Sequence, residues 1–317
     1  YTSNGFGATF FVSYPLRRSF ARLSLTYGID RSNIVPNNTG SKSYFDYSNF
    51  LNFDGPNSLN GIITSRVIPA YTYNTVDHPI TPSRGRSLYA SVSFAGGPIG
   101  GNVNSIEPTV SATYFRRGFS PKHVIGMRVL GRYITGYGNR VAPPFNRVFM
   151  GGEQDVRGFE IWGIGPFAYI PSSASVQVLN SDGSARQQKT IVDGVVTTTN
   201  VLQTIPIYQL VFPGGDTQGV GNFEYRIPIF GPLVLAAFFD AGVNRISRPS
   251  QLRLNPSRVS SLNGEFPQAG FDNQSIVVSQ TQKIRTSTGL ELQIMMPVVN
   301  APFRLYYAYN PTLVREY

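Results

Sequence analysis

The sequence predicts an all-β fold, an antiparallel transmembrane β-barrel of the outer-membrane type. Three observations predict it: segments of about ten residues alternate apolar with polar positions, their connections alternate between short and long, and aromatic residues gather at segment ends. Strands of globular proteins usually have about five or six residues, so these segments are long. No segment shows convincing helical periodicity. Because hydrocarbon offers no partner to an open strand edge, the sheet is expected to close, within this chain or with strands outside it.

Ten segments carry the alternation. In the second of them, Leu23, Leu25 and Tyr27 share one face, whereas Arg22 and Ser24 share the other. In chain order the predicted strands lie near residues 8–16, 20–29, 62–75, 87–94, 107–114, 125–133, 222–229, 233–244, 285–294 and 303–310. One apolar and one polar face per strand is expected of a wall between lipid and a polar lumen.

The connections between these strands alternate in length. Short turns are predicted near residues 17–19, 83–85, 117–122, 230–232 and 297–302. Long segments rich in Asn, Ser, Gly and Pro are predicted near residues 32–61, 96–105, 138–219 and 245–282. Short turns on one rim and long loops on the other are typical of outer-membrane barrels. A soluble β-sandwich or lectin-like fold, the alternative, also has alternating strands but gives no such asymmetry.

The composition excludes several classes of protein. Of 317 residues, 27 are Lys or Arg and 17 are Asp or Glu, so the net charge is +10, yet only 14% are charged, which is low for a soluble enzyme. There is no Cys, and His78 and His123 are far apart, so no metal site or cofactor is expected. The sequence has no apolar run of about 18 residues and no catalytic motif, and no enzyme activity is expected. Runs of basic residues interleaved with aromatics are absent, which argues against a nucleic-acid partner.

The longest connection carries a motif. It reads Gly151-Gly152-Glu153-Gln154-Asp155-Val156-Arg157-Gly158-Phe159, followed by Gly163-Ile164-Gly165-Pro166. This motif resembles that of the BamA family of outer-membrane protein assembly factors, in which a Val-Arg-Gly-Phe/Tyr tetrad lies at the tip of a loop that folds back into the barrel. Residues 78–85, 223–228 and 238–242 are also similar to the family, so the resemblance covers nearly the whole chain. The flanking residues Gly151, Gly152, Gly165 and Pro166 fit its bacterial branch best.

The resemblance has implications for architecture and function. It implies that residues 1–317 are part of one transmembrane barrel domain, including the long loop 138–219, and correspond to about the sixth to fifteenth of the family's sixteen strands. The family's POTRA domains are not expected in this chain. The implied protein is an insertase of the bacterial cell outer membrane that catalyses folding and insertion of β-barrel proteins. Its implied partners are the lipid bilayer, unfolded outer-membrane protein clients and accessory lipoproteins that bind through POTRA domains. A two-partner secretion transporter or an anion-selective channel is the alternative.

Arg157 is the residue with the most specific predicted role. A guanidinium that enters a barrel lumen loses its hydration, and an unpaired buried charge costs several kcal/mol, so carboxylates are expected beside it. Strand alternation places Glu224 and Asp240 on the lumenal face, on strands joined by a tight turn. The family likewise holds its tetrad Arg with acidic residues, and we therefore predict a loop lock between Arg157, Glu224 and Asp240.

The other residues of the tetrad support this lock. Gly158 is expected to allow a tight turn, and Phe159 to anchor the tip through apolar contacts, next to Val156. Two alternatives remain open: Glu224 could instead pair with a lumenal arginine such as Arg226, and Arg157 could be a solvated loop charge.

The predicted lumen is rich in arginine. Six arginines share the inward face: Arg22, Arg128, Arg132, Arg226, Arg285 and Arg304. Few inward carboxylates oppose them, namely Glu107, Glu224, Asp240 and Glu291. This arrangement predicts either an anion-selective pore or polypeptide-contacting surface, or arginines that pair with loop carboxylates inside a plugged lumen. The second interpretation is favoured because the long loop could fill the interior.

Overall fold

The computed structural model describes residues 2–37, 45, 59–192, 195–296 and 301–312. It contains sixteen strands and one α-helix in these residues. The strands are β1 (Thr2–Pro15), β2 (Ala21–Val35), β3 (Ile62–Asn74), β4 (Gly85–Ala95), β5 (Ser105–Arg117), β6 (Val124–Tyr133), β7 (Thr135–Gly136), β8 (Ala168–Gln177), β9 (Gln187–Val192), β10 (Val195–Asn200), β11 (Leu202–Val211), β12 (Thr217–Phe230), β13 (Leu233–Arg245), β14 (Ile276–Val277), β15 (Arg285–Met296) and β16 (Ala301–Tyr309). The helix is α1 (Pro256–Glu265).

Ten strands form one antiparallel sheet in the order β1-β2-β3-β4-β5-β6-β12-β13-β15-β16, and short β7 adds to β5. These ten are the ten strands that alternation predicts, so the all-β antiparallel class is confirmed. Sheet neighbours follow one another along the chain except where β6 pairs with β12, across the longest connection, and where β13 pairs with β15, past short β14. Within the described residues, β1 and β16 are the outer strands, and each has one neighbour.

The two faces of the sheet differ as the alternation predicts. On β13, Phe239 is 49% exposed while Asp240 is fully buried, and on β15 Leu290 is 55% exposed while Glu291 is fully buried. Large exposed apolar side chains line one face because that face is solvated by lipid, whereas the polar side chains turn toward the lumen. This inversion of the usual globular pattern brings the carboxylates of β12, β13 and β15 together inside.

The two rims also differ. Turns β1–β2, β5–β6 and β12–β13 are short and lie at one rim, together with the ten-residue turn β3–β4. At the other rim, the segments that follow β7 and β13 are long, whereas the nine-residue connection after β4 is no longer than turn β3–β4. Short turns face the periplasm in barrels of this type, so we call this end the short-turn rim. Parts of three predicted connections lie outside the described residues, namely residues 38–44 and 46–58, residues 193–194 and residues 297–300.

The long connections contain structure that the periodicity does not predict. Strands β8, β11 and β14 form a separate small sheet, and α1 packs against it. Their shared core consists of Ala168, Ile170, Val211, Leu254, Val259, Leu262, Phe266 and Phe271. Helix α1 begins where the Asn255 side chain accepts hydrogen bonds from the backbone of Ser257 and Arg258, with Pro256 at its first position.

Helix α1 therefore forms in a segment without convincing helical periodicity. Only two of its ten residues, Val259 and Leu262, are buried, so its apolar period is too sparse to stand out in the sequence. In the described part of the chain, no helix has both the length and the apolar character needed to cross a membrane.

Candidate functional site

The segment that carries the motif lies against the lumenal side of the sheet. Met150 and Val156 are fully buried, and they pack with Ile164 and with Val220 of β12. On β13, a Cβ at Gly242 would lie 2.7 Å from Val156 Cγ2, so glycine at that position allows the segment to approach the wall closely. Hydrophobic packing thus holds the motif against β12 and β13, next to the carboxylates of those strands.

Arg157 makes a dense set of hydrogen bonds at this contact. Its Nε and Nη2 donate to the two carboxylate oxygens of Asp240 at 2.7 and 2.8 Å, a bidentate pair. Its Nη1 donates to Glu224 at 2.7 Å and to Glu291 at 2.8 Å. The backbone N–H of Arg157 also donates to Asp240 at 3.1 Å. The structure therefore brings Arg157, Glu224 and Asp240 together and adds a third carboxylate, from Glu291.

The cluster is shielded from solvent. Arg157 is 2% exposed, and Asp240 and Glu291 are fully buried. The ring of Phe238 lies under the guanidinium, 3.8 Å from its central carbon, and covers the remaining face. Burial alone would lower the pKa of Arg157, but the hydrogen bond to Asp240 and the charge of Glu224 outweigh burial and raise that pKa. Arg157 is therefore held as a cation.

Two further arginines neutralise the carboxylates. Arg226 Nε donates to the second oxygen of Glu224 at 2.7 Å, and Arg304 Nη2 donates to Glu291 at 2.9 Å. In the buried part of the cluster three arginines thus face three carboxylates, and the exposed Glu153 of the loop joins at its edge through Arg304. Both partners predicted for Glu224 are present, because one oxygen meets Arg157 and the other meets Arg226. A buried cluster of this kind tolerates its charges only because every one is matched.

Gly158, next to Arg157, has a backbone conformation that other residues rarely adopt. Gly158 has a φ of 78°, and a Cβ there would lie 2.5 Å from the Ala308 side chain. The carbonyl of Gly158 accepts a hydrogen bond from Asn310, beyond β16. Phe159 packs at the edge of the apolar cluster. The tip of the loop is therefore tied to β16 as well as to β12 and β13.

The flanking glycines shape the base of the motif. Gly151 has a φ of 128° and Gly152 a φ of 88°. A Cβ on Gly151 would lie 2.4 Å from the carbonyl oxygen of Glu160, so the chain doubles back closely at this point. Gly165 and the buried Pro166 follow Ile164 and lead out of the lumen toward β8.

Sequence reasoning missed two participants, Glu291 and Phe238. Alternation puts Glu291 on the lumenal face, but it does not show which inward carboxylate reaches Arg157. That depends on the register of β13 against β15, which pairs Ala236 with Glu291. Phe238 lies on the inward face beside Asp240, and its inward parity is the signal that could have identified it.

The other lumenal arginines also have partners. Arg132 pairs with Glu107, and Arg128 donates to the backbone carbonyl of Gln154 in the loop. Arg304 additionally reaches Glu153 of the loop at 2.7 Å. Arg22 donates to Ser13, and Arg285 donates to backbone carbonyls, including that of Thr312. These pairings agree with the interpretation of a plugged lumen, although a cavity of about 700 Å³ remains between the motif and the short-turn rim.

The sheet order, the polar lumenal face and the loop held inside by buried ion pairs define a membrane-spanning β-barrel of the outer-membrane type. The Omp85 superfamily domain matches residues 1–315, and the chain belongs to the Omp85 superfamily. It is a protein of the bacterial outer membrane.

Two known proteins are similar to this chain. The outer membrane protein assembly factor BamA of Nitratidesulfovibrio vulgaris is 31% identical over 177 residues, which are 55% of this chain and 17% of that protein. The crystal structure of BamA from Haemophilus ducreyi lacking POTRA domains 1-3 has a similar fold, with a TM-score of 0.62 and 18% identity. That similarity covers 98% of this chain and 51% of the other, so this chain spans about half the length of the solved one.

Proposed function

We propose that this chain is the barrel portion of an outer-membrane protein assembly factor, an insertase that promotes folding and insertion of other β-barrels without covalent chemistry. Superfamily membership and the similarity to BamA support this activity. The proposal includes unfolded outer-membrane proteins as clients, and accessory lipoproteins as partners through POTRA domains elsewhere in the full-length protein. Residues 1–317 would then be one barrel domain.

The observation that carries the proposal is the buried cluster around Arg157. A solvated loop charge would need no partners, yet this guanidinium engages three carboxylates from three different strands. Breaking a buried ion pair from one side costs about 3–5 kcal/mol, so the cluster is able to fix the loop inside the lumen against thermal motion. We propose that this loop lock holds β12, β13 and β15 in the arrangement that client insertion requires.

The anion-selective channel has weaker support. An anion pathway needs cationic side chains that face open water, whereas Arg132, Arg226 and Arg304 are matched by carboxylates. The motif segment also occupies the lumen at the height of Arg157. Secretion transporters belong to the same superfamily. They differ from an insertase in the cargo that is lost when Arg157 is replaced, which is a secreted polypeptide and not the porins.

The first prediction concerns Arg157→Ala in the full-length protein. In cells depleted of the native assembly factor, this variant is expected to restore growth poorly and to lower the level of folded porins by several-fold, because the loop loses its lock. The measurement is growth together with heat-modifiable mobility of the porins. Arg186→Ala is the matched control, since Arg186 is exposed on the long loop far along the chain from the cluster.

Two results would count against the proposal. Full growth with Arg157→Ala, while the variant itself remains folded in the membrane, would show that the lock is dispensable. Normal porin assembly combined with loss of one secreted polypeptide would favour a secretion transporter.

A further inference from the structure

Two turns of the short-turn rim share one sequence pattern. Residues 17–20 read Arg-Arg-Ser-Phe, and residues 116–119 read Arg-Arg-Gly-Phe. All four of these arginines are exposed. The aromatic residues are unusually open, since Phe20 is 71% and Phe119 is 96% exposed. Basic side chains next to an exposed aromatic ring are typical of protein segments at a membrane interface.

These turns belong to one continuous stretch of the rim. Strands β1 to β6 are consecutive neighbours in the sheet, so turns β1–β2, β3–β4 and β5–β6 lie side by side. Five steps of about 4.8 Å between strands give an arc of roughly 24 Å. Seven exposed basic residues lie on this arc. Arg84 lies 3.9 Å from Asp77, and we call the other six the basic collar: Arg17, Arg18, Arg86, Arg116, Arg117 and Lys122.

The collar lacks acidic partners in the described structure. These three turns contain one acidic residue, Asp77. Its carboxylate accepts hydrogen bonds from Ser83 and lies 3.9 Å from Arg84. No collar residue takes part in an ion pair among the described residues, whereas Arg132, Arg226 and Arg304 of the lumen do. Turn β12–β13 carries no charged residue. A large share of the +10 net charge is therefore concentrated on one arc of one rim.

The lipid-facing wall continues the collar. Arg86 is the second residue of β4, and its guanidinium lies 5.3 Å from the ring centre of Tyr73. It stands at the end of a shallow groove of about 490 Å³ on this wall, lined by Leu88, Tyr114 and Met127 among others. A cation on the lipid face of a barrel is tolerated near the interface, where its cost falls to about 0–1 kcal/mol, and not at mid-depth.

We propose that the basic collar and the groove below Arg86 bind anionic phospholipid of the leaflet that the short turns face. The arginines would engage the phosphate and the acidic headgroup, the groove would hold an acyl chain, and Phe20 and Phe119 would insert among the chains. An acidic polypeptide would match the charge, but it would not fill a groove that lies on the lipid-facing wall. Lipid explains the charge and the apolar surface together, and this site is independent of the assembly activity.

The test compares lipid retention by purified full-length protein. Native mass spectrometry counts phosphatidylglycerol and phosphatidylcholine adducts for the wild type and for the variant R17Q/R18Q/R116Q/R117Q. Each basic residue near an anionic surface changes affinity by about fivefold, so the variant is expected to lose phosphatidylglycerol affinity at least about tenfold, with phosphatidylcholine unchanged. The matched control is R186Q/K189Q/R258Q/K283Q, which removes four exposed charges from the long connections at the other rim.

Three outcomes would overturn the proposal. One is a wild type without preference for phosphatidylglycerol, and another is an equal loss in the control variant. The third is collar-dependent binding of decaglutamate without phosphatidylglycerol preference, which would assign the collar to an acidic polypeptide.

A second measurement tests the geometry without changing charge. Phe119→Trp in vesicles that contain lipids brominated near the headgroup is expected to show strong fluorescence quenching beyond that of the native Trp162, because the ring at position 119 would be inserted. Quenching equal to that of the wild type would place this ring in water and contradict insertion.

Discussion

At the scale of single residues, the lumen is organised by matched charges. Asp240 has the central position in this cluster. It accepts two hydrogen bonds from the Arg157 guanidinium, one from the backbone N–H of Arg157 and one from the Asn222 side chain at 2.9 Å. Glu224 is 12% exposed and has Arg226 as a second partner. The two carboxylates therefore do not contribute equally, although both are predicted by the same strand alternation.

This difference gives a second prediction. Asp240→Asn keeps the shape but removes the charge, so Arg157 becomes an incompletely matched buried cation, and we expect a loss of about 3 kcal/mol in the free energy of unfolding. Glu224→Gln should cost less, about 1 kcal/mol, because water reaches that side chain. Urea unfolding in detergent micelles, followed by tryptophan fluorescence, measures both. Equal losses for the two variants, or a comparable loss for the exposed Asp182→Asn, would contradict the central role of Asp240.

At the scale of elements, turn β3–β4 shows how a short connection is fixed. The Asp77 carboxylate accepts hydrogen bonds from the Ser83 hydroxyl at 2.5 Å and from the Ser83 backbone at 2.9 Å. It also accepts one from the Arg84 backbone at 3.2 Å. These bonds, the Ser83 hydroxyl first, lower the pKa of Asp77 well below its usual range. The ionised carboxylate therefore replaces the hydrogen bonds that a tighter turn would make between its own backbone groups.

The third prediction follows from the sign of that shift. Because the folded pKa lies below the unfolded value of about 3.9, the stabilisation is fully present above that value and is lost as the pH falls through the folded pKa. Pepsin cleavage within residues 75–84 should therefore accelerate between about pH 4 and pH 2 more than pepsin's own activity change explains. The Asp77→Asn variant should be cleaved by pepsin at a rate that shows little such pH dependence. If the variant and the wild type accelerate alike, the carboxylate does not hold the turn.

At the scale of the whole molecule, the sequence predicts what the solvents impose. Lipid outside and a polar lumen inside force alternation on every wall strand, so all ten sheet strands could be located. The small sheet of β8, β11 and β14 with α1 could not be located, because its core joins residues that are far apart in the chain, such as Ile170 and Phe271. Glu291 depends on strand register, which alternation leaves undetermined. The alternation predicts positive charge in the lumen, where Arg132, Arg157, Arg226 and Arg304 pair with carboxylates, but it does not predict the unpaired charge of the basic collar.

The last prediction concerns the lumen as a conduit. The motif segment is held across the interior by Arg157, and Arg304 and Arg128 bind it further through Glu153 and Gln154. In planar bilayers, the full-length wild type is therefore expected to show low conductance. Arg157→Ala should raise the mean conductance several-fold and add large fluctuations, because the segment then keeps its apolar packing and its more exposed ion pairs but loses its buried ones. Arg186→Ala should behave as the wild type does. A wild type that already conducts like an open pore, or an Arg157→Ala variant that matches it, would mean that the loop does not close the lumen.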